Sequence, residues 1–154
     1  MQTDNNMLKF HALTMINTVT NLTEIVRVRN TTAQAAATAF EVGWLCRYPR
    51  PVRVIHDQGT KFNGENFQAI LWQWGIRNAP IGVRNPQANA ICERMHQQVL
   101  GNIFRTILHS NHPPNADAAN ALIDYALQTV VHAMKATTHR TLGVSPGALV
   151  FHRA

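Results

Sequence analysis

A strand obliged to stop at an acid, followed by a helix obliged to start at a proline, constrains this chain more than any other part of it. Val52-Arg53-Val54-Ile55 is rich in β-branched residues and runs into His56-Asp57-Gln58-Gly59, a polar cluster that cannot continue a buried strand. The stretch predicts a short buried strand with Asp57 at its end and a turn at Gly59, where glycine gives the backbone freedom beside the acid. Further on, Asn85 is a good N-cap, and Pro86 suits a first helical position because its missing N–H has no intrahelical partner to lose. A helix from Pro86 to about His109 would bury Ile91, Met95, Val99, Ile103 and Ile107. Asn89, Glu93 and Gln97 recur at every fourth position and share a different, polar face. Thirty-five residues lie between Asp57 and Glu93.

The remaining chain reads as alternating strands and helices. Met7 to Ile16 and Leu22 to Arg29 carry β-branched and aromatic residues and predict two strands, joined as a hairpin through Thr18-Val19-Thr20-Asn21 with Asn17 as a hairpin residue. Thr32 to Trp44 predicts a helix capped by Thr31 or Thr32, ended by Tyr48-Pro49-Arg50-Pro51. Asn63 to Trp74 spaces Phe67, Ile70, Leu71 and Trp74 at helical intervals, and Pro80 to Arg84 is a connection containing Gly82. Pro113-Pro114 marks a loop, Ala118 to about Ala136 an amphipathic helix, and Ser145-Pro146 the start of a short helix through Val150. This order predicts an α/β chain with a central mixed sheet flanked by helices.

Size and charge limit what such a chain can do. Its 154 residues make one domain with a real core, and 14 Lys and Arg against 8 Asp and Glu leave a net charge of +6, which favours a polyanionic partner. No apolar run approaches the roughly 18 to 20 residues of a spanning helix, so no membrane role is expected. The two cysteines, Cys46 and Cys92, and the absence of a secretory apolar region behind Met1 fit a reduced intracellular setting. Cys92 falls on the buried side of its helix and has no evident base, so nucleophilic cysteine chemistry is not expected. The eight histidines include no pair at a usual zinc spacing, with cysteine or with each other.

Four stretches, in order, carry a family resemblance: His56-Asp57-Gln58-Gly59-Thr60-Lys61-Phe62, Trp74-Gly75-Ile76, Asn85-Pro86-Gln87-Ala88-Asn89 leading to Glu93, and Thr141-Leu142-Gly143-Val144-Ser145-Pro146 through Phe151. Together they resemble the catalytic core of retroviral and LTR-retrotransposon integrases, with wording closest to the gypsy class. The resemblance covers most of the chain, residues 1–154, and implies a ribonuclease H-like fold with a five-stranded mixed sheet. Neither the zinc-binding amino-terminal module nor the carboxy-terminal DNA-binding tail of full-length integrases is found in it.

What the resemblance implies is DNA integration: element ends are trimmed with water as nucleophile, and the resulting 3′ hydroxyls are joined to target DNA. It implies Mg²⁺ or Mn²⁺ held by Asp57 and Glu93, since hard divalent cations take carboxylate oxygens and a pair of them can activate one oxygen while stabilising another. Taken singly, Asp57 is a turn-forming aspartate and Glu93 a solvated helix residue; their flanking motifs change that reading. The family's first acid belongs on its opening strand. Asp4 is the only acid before the hairpin, yet Asp4-Asn5-Asn6 also reads as a tight turn, and the expectation is that the first acid lies upstream of Met1. Asn89, Arg94, Gln97, Lys61 and Arg84 are the candidate DNA contacts, against the simpler reading of solvated surface. His56 is expected to be an ordinary strand residue, with tuning of the acid beside it as the other reading. A homodimer or higher oligomer acting in the nucleus is expected by the same resemblance. The alternatives are a truncated or decayed core that binds nucleic acid or integrase partners without catalysis, and a nuclease of RNA:DNA hybrids.

Overall fold

A computed structural model of the chain describes residues 9–57, 59–80, 90, 94 and 101–152. The first hairpin pairs β1 (His11–Ile16) antiparallel to β2 (Thr23–Val28), with His11 opposite Val28 and Ile16 opposite Thr23. Asn17 organises the turn: its Oδ1 accepts the N–H groups of Val19 and Thr20, both at 3.0 Å. Asn21 takes a φ of 58°, a left-handed conformation that asparagine tolerates, and gives its N–H to the Asn17 carbonyl at 2.8 Å. Lys9 and Phe10 precede the ladder, so among the described residues the strand expected from Met7 to Ile16 begins at His11. Phe10 instead places its ring 5.2 Å from that of Phe104.

Helix α1 (Ala33–Phe40) is capped by Thr32, whose Oγ1 accepts the Ala35 N–H at 3.2 Å. It does not run regularly to Trp44. After Phe40 the backbone widens into a π-helical turn, Glu41–Leu45, closed by the Cys46 N–H on the Glu41 carbonyl at 2.9 Å. The extra residue in the turn shifts the helical phase, so that Gly43, Trp44 and Leu45 are buried in succession.

Strand β3 (Arg53–His56) then pairs parallel to β4 (Arg77–Pro80), with Val54 opposite Asn78 and His56 opposite Pro80. Parallel strands need a crossover, supplied here by α2 (Thr60–Asn63) and α3 (Glu65–Gln73). The single helix expected over Asn63 to Trp74 is broken at Gly64, where a Cβ would come within 2.3 Å of the Ala33 Cβ. Close approach of α1 therefore demands glycine at that position. Phe67 and Leu71 of α3 are buried as expected, while Ile70 and Trp74 pack partly exposed beside them.

Residues 90 and 94 are helical, and α4 (Gly101–His109) falls within the span of the helix expected from Pro86 to about His109, whose other residues lie outside the described residues. Helix α5 (Ala116–Ala136) starts two positions earlier than its hydrophobic pattern indicates, because Asn115 serves as N-cap and its Oδ1 accepts the Ala118 N–H at 2.8 Å. Ser145 caps α6 (Pro146–Phe151) as expected, accepting the Ala148 N–H at 3.2 Å.

The five-stranded sheet is not what the described residues form. Among them are one antiparallel and one parallel two-stranded ladder, with no strand hydrogen-bonded between the two. Packing across helices joins the ladders instead. One core gathers Leu22, Phe40, Trp44, Phe67, Leu71 and Ile76; a second sets Ile25 of β2 against Ile123, Leu127, Val130 and Val131 of α5.

β2 is also tied to α5 by charge. The Glu24 carboxylate is buried, and it accepts hydrogen bonds from Lys135 Nζ and the Tyr48 hydroxyl, with Arg47 at 3.8 Å. Three residues along, Arg27 pairs with Asp124 at 3.0 Å. Burial, then the hydrogen bond and charge of Glu24, push the Tyr48 phenol well above the ordinary tyrosine range. The folded state thus keeps a proton that the unfolded chain loses above about pH 10, so this contribution to stability is full below that pH and falls as pH rises through the folded value. In an alkaline titration followed by tyrosinate absorbance, a tyrosine step above the ordinary range is expected in the parent and absent in Tyr48→Phe; persistence of that step in the variant would contradict its assignment to Tyr48.

Candidate functional site

The candidate site is built where β3 stops. Asp57 follows the last strand residue and is exposed, and its Oδ1 accepts the Gly59 N–H at 3.0 Å, an Asx-type turn that fixes the carboxylate. A Cβ on Gly59 would lie 2.9 Å from that same oxygen. The Gly59 carbonyl in turn accepts the N–H groups of Phe62 and Asn63 at 3.0 and 3.1 Å, opening α2. Strand end, acid and helix start are therefore one hydrogen-bonded unit.

His56 anchors this unit from beneath. It is 6 % exposed, with Nδ1 2.5 Å from the Asp57 carbonyl oxygen and Nε2 2.6 Å from Asn78 Oδ1 on β4. A proton on Nδ1 donates to the carbonyl, and the Asn78 amide offers both an acceptor and a donor to the other nitrogen. The ring lies 5.3 Å from Phe62 and 5.9 Å from Phe67, measured between centroids. The sequence reading of His56 as an ordinary strand residue misses this role, and it does not single out Asn78 at all. No local signal marks either one, because their contact spans a crossover.

Lys61 sits in α2, partly exposed, with Nζ 5.0 Å above the Phe62 ring, so it shares the turn that carries Asp57. Arg94 is helical and exposed. Asp4, Arg84, Asn89, Glu93 and Gln97 lie outside the described residues, as does Cys92. Among the described residues, no three His, Cys, Asp or Glu side chains gather where they could hold a metal ion. The donor chemistry of Asp57 nonetheless fits a hard divalent cation: an exposed carboxylate, oriented by a backbone N–H, with no basic side chain within ion-pair distance among the described residues.

No protein-family model matches the sequence, and no curated protein is similar to it. Solved structures are. The chain superposes on the catalytic core domain of BIV integrase with a TM-score of 0.72 and 16 % identity, over 93 % of this chain and 91 % of that one. It superposes on the HTLV-2 integrase catalytic core domain, in a trimeric form in complex with magnesium, with a TM-score of 0.71 and 14 % identity, over 90 % of this chain and 82 % of that one. The chain thus has a ribonuclease H-like α/β fold. More particularly, that fold is shared with retroviral integrase catalytic cores.

The Asn78 contact makes a direct test of the anchor. Asn78→Ala removes the partner of His56 Nε2; because Asn78 is itself exposed, water can take its place, and the cost is about 0.5–1.5 kcal/mol. Urea denaturation should show this as a lower midpoint with unchanged slope, and no change in midpoint would remove Asn78 from the anchor.

Proposed function

We propose that this chain is the integrase catalytic core of a gypsy-class LTR retrotransposon, carrying out polynucleotidyl transfer between element DNA ends and target DNA. One observation carries the reading: Asp57 stands as an oriented, exposed carboxylate at the end of β3 in a fold shared with integrase cores, with Asn85-Pro86 and Glu93 following it in the chain.

In this reading Asp57 and Glu93 hold Mg²⁺ or Mn²⁺, with Asp4, or an acid preceding Met1, as the third ligand. The bound cations supply positive charge that lowers the barrier for an attacking oxygen and stabilises a leaving one. In end processing, a water oxygen bonds to phosphorus as the bond to O3′ breaks, and O3′ takes up a proton. In joining, that 3′ hydroxyl loses its proton, its oxygen bonds to a target phosphorus as the bond to the target O3′ breaks, and the displaced O3′ takes up a proton. No enzyme atom bonds to phosphorus in either step.

The chain's own residues orient the reactants. His56 holds the Asp57 backbone carbonyl, and the Gly59 N–H orients the Asp57 carboxylate. Lys61, Arg84 and Arg94 neutralise DNA phosphates, and Asn89 and Gln97 hydrogen-bond phosphates or bases beside Glu93. The protein acts as a homodimer or higher oligomer in the nucleus, where target DNA lies.

Strand transfer with labelled element ends and Mn²⁺ tests this reading. Asp57→Asn and Glu93→Gln should each reduce joining on the order of 10³-fold, the loss of several kcal/mol of charge stabilisation, while circular dichroism stays unchanged. Joining that survives Asp57→Asn would refute the assignment. A parent chain that binds DNA but joins none would favour the non-catalytic core.

A further inference from the structure

Away from Asp57, at the opposite end of β3, three arginines converge without a counter-charge. Arg53 and Arg77 open β3 and β4 and are directly opposite in the parallel register, so both side chains leave the same face of the ladder. Arg50 reaches the same end, its Nη1 donating to the Trp74 carbonyl at 2.8 Å and lying close against Gly75, two positions before Arg77. All three are exposed, and among the described residues no carboxylate lies within ion-pair distance of any of them. By comparison, Arg27, Arg47 and Lys135 each have an acid partner.

Like charges placed directly opposite on adjacent strands destabilise the ladder, and an anion between them converts that repulsion into attraction. The anion indicated is extended rather than enclosed, because the guanidinium groups lie on an open edge. Trp72, at the same end of α3 and joined through its carbonyl to the Gly75 N–H at 3.0 Å, is 85 % exposed and adds a flat apolar surface of the kind that nucleic acids stack upon.

We propose that Arg50, Arg53 and Arg77 form a binding site for the phosphodiester backbone of DNA. At the strand rise of 3.3 Å per residue, Arg53 lies roughly 13 Å from Asp57 along β3, so the contact is separate from the reacting phosphate. The choice of DNA as the polyanion rests on the integrase reading; the contact itself requires no turnover.

Fluorescence anisotropy with a labelled duplex, in the absence of divalent metal and over a series of salt concentrations, separates the two. Arg53→Gln combined with Arg77→Gln should weaken binding about tenfold near 0.1 M salt and flatten the log–log salt dependence by about 1.8, the value for two lost phosphate contacts. Adding Arg50→Gln should flatten it further. A charge-matched control, Arg29→Gln with Arg140→Gln, should bind within about twofold of the parent on the same scale. Thermal melting of each variant confirms that it is folded. Equal losses in both double variants would reduce the effect to net charge and overturn the proposal. Displacement of the duplex by inorganic phosphate at constant ionic strength would assign the edge to a free anion and overturn it as well. DNA binding unchanged in Arg53→Gln with Arg77→Gln while the parent performs strand transfer would contradict this site alone, whereas weakened binding in that variant from a parent that performs no strand transfer would contradict only the catalytic reading.

Discussion

The orientation of one exposed carboxylate depends on a buried ring. β3 is only four residues long, and a strand that short does not hold its end in place by backbone pairing alone. His56 supplies the missing constraint: it joins the Asp57 backbone to β4 through Asn78, and it fills the space between Phe62 and Phe67, so the strand end is fixed both by polar contacts and by packing. The Gly59 turn then adds the last restraint, aiming a carboxylate whose backbone has already been immobilised. An exposed catalytic or metal-binding acid needs this kind of support, because solvent does nothing to orient it.

The second organising contact lies on the other side of the fold. Glu24 is a buried acid that receives Lys135 from α5 and Tyr48 from the segment after α1, with Arg47 nearby. It therefore links elements that are far apart in the chain. A buried carboxylate is costly unless it is paired and hydrogen-bonded, and this one is both. The same economy explains where positive charge is left over. Arg27, Arg47 and Lys135 are matched with acids, whereas Arg50, Arg53 and Arg77 at the start of β3 and β4 have no carboxylate within ion-pair distance among the described residues.

Much of this architecture is legible in local sequence, and the reasons are physical. The end of β3 is announced by an acid and a glycine after β-branched residues, Asn17 by the turn chemistry of short polar side chains, and Thr32 and Ser145 by capping preferences that act within one helical turn. What escapes sequence reading depends on neighbours distant along the chain. The break at Gly64 follows from the approach of Ala33, the π-helical turn from the need to bury Trp44 and Leu45 together, and the His56–Asn78 contact from the register of β3 on β4. The early start of α5 is a local miss, since Asn115 follows a proline pair that masks its capping role. At the candidate site, Asp57 lies just after β3 and Lys61 in α2, while Glu93 lies outside the described residues. The likeness to integrase cores at 14–16 % identity is a likeness of fold.

The claim on which the functional account rests is that residues 57 and 93 hold the same cations. Anomalous diffraction from crystals of the chain grown with Mn²⁺ measures this directly. The account predicts a manganese peak in contact with carboxylate oxygens of both Asp57 and Glu93. Manganese bound at neither residue, with the two carboxylates on opposite sides of the molecule, would contradict it.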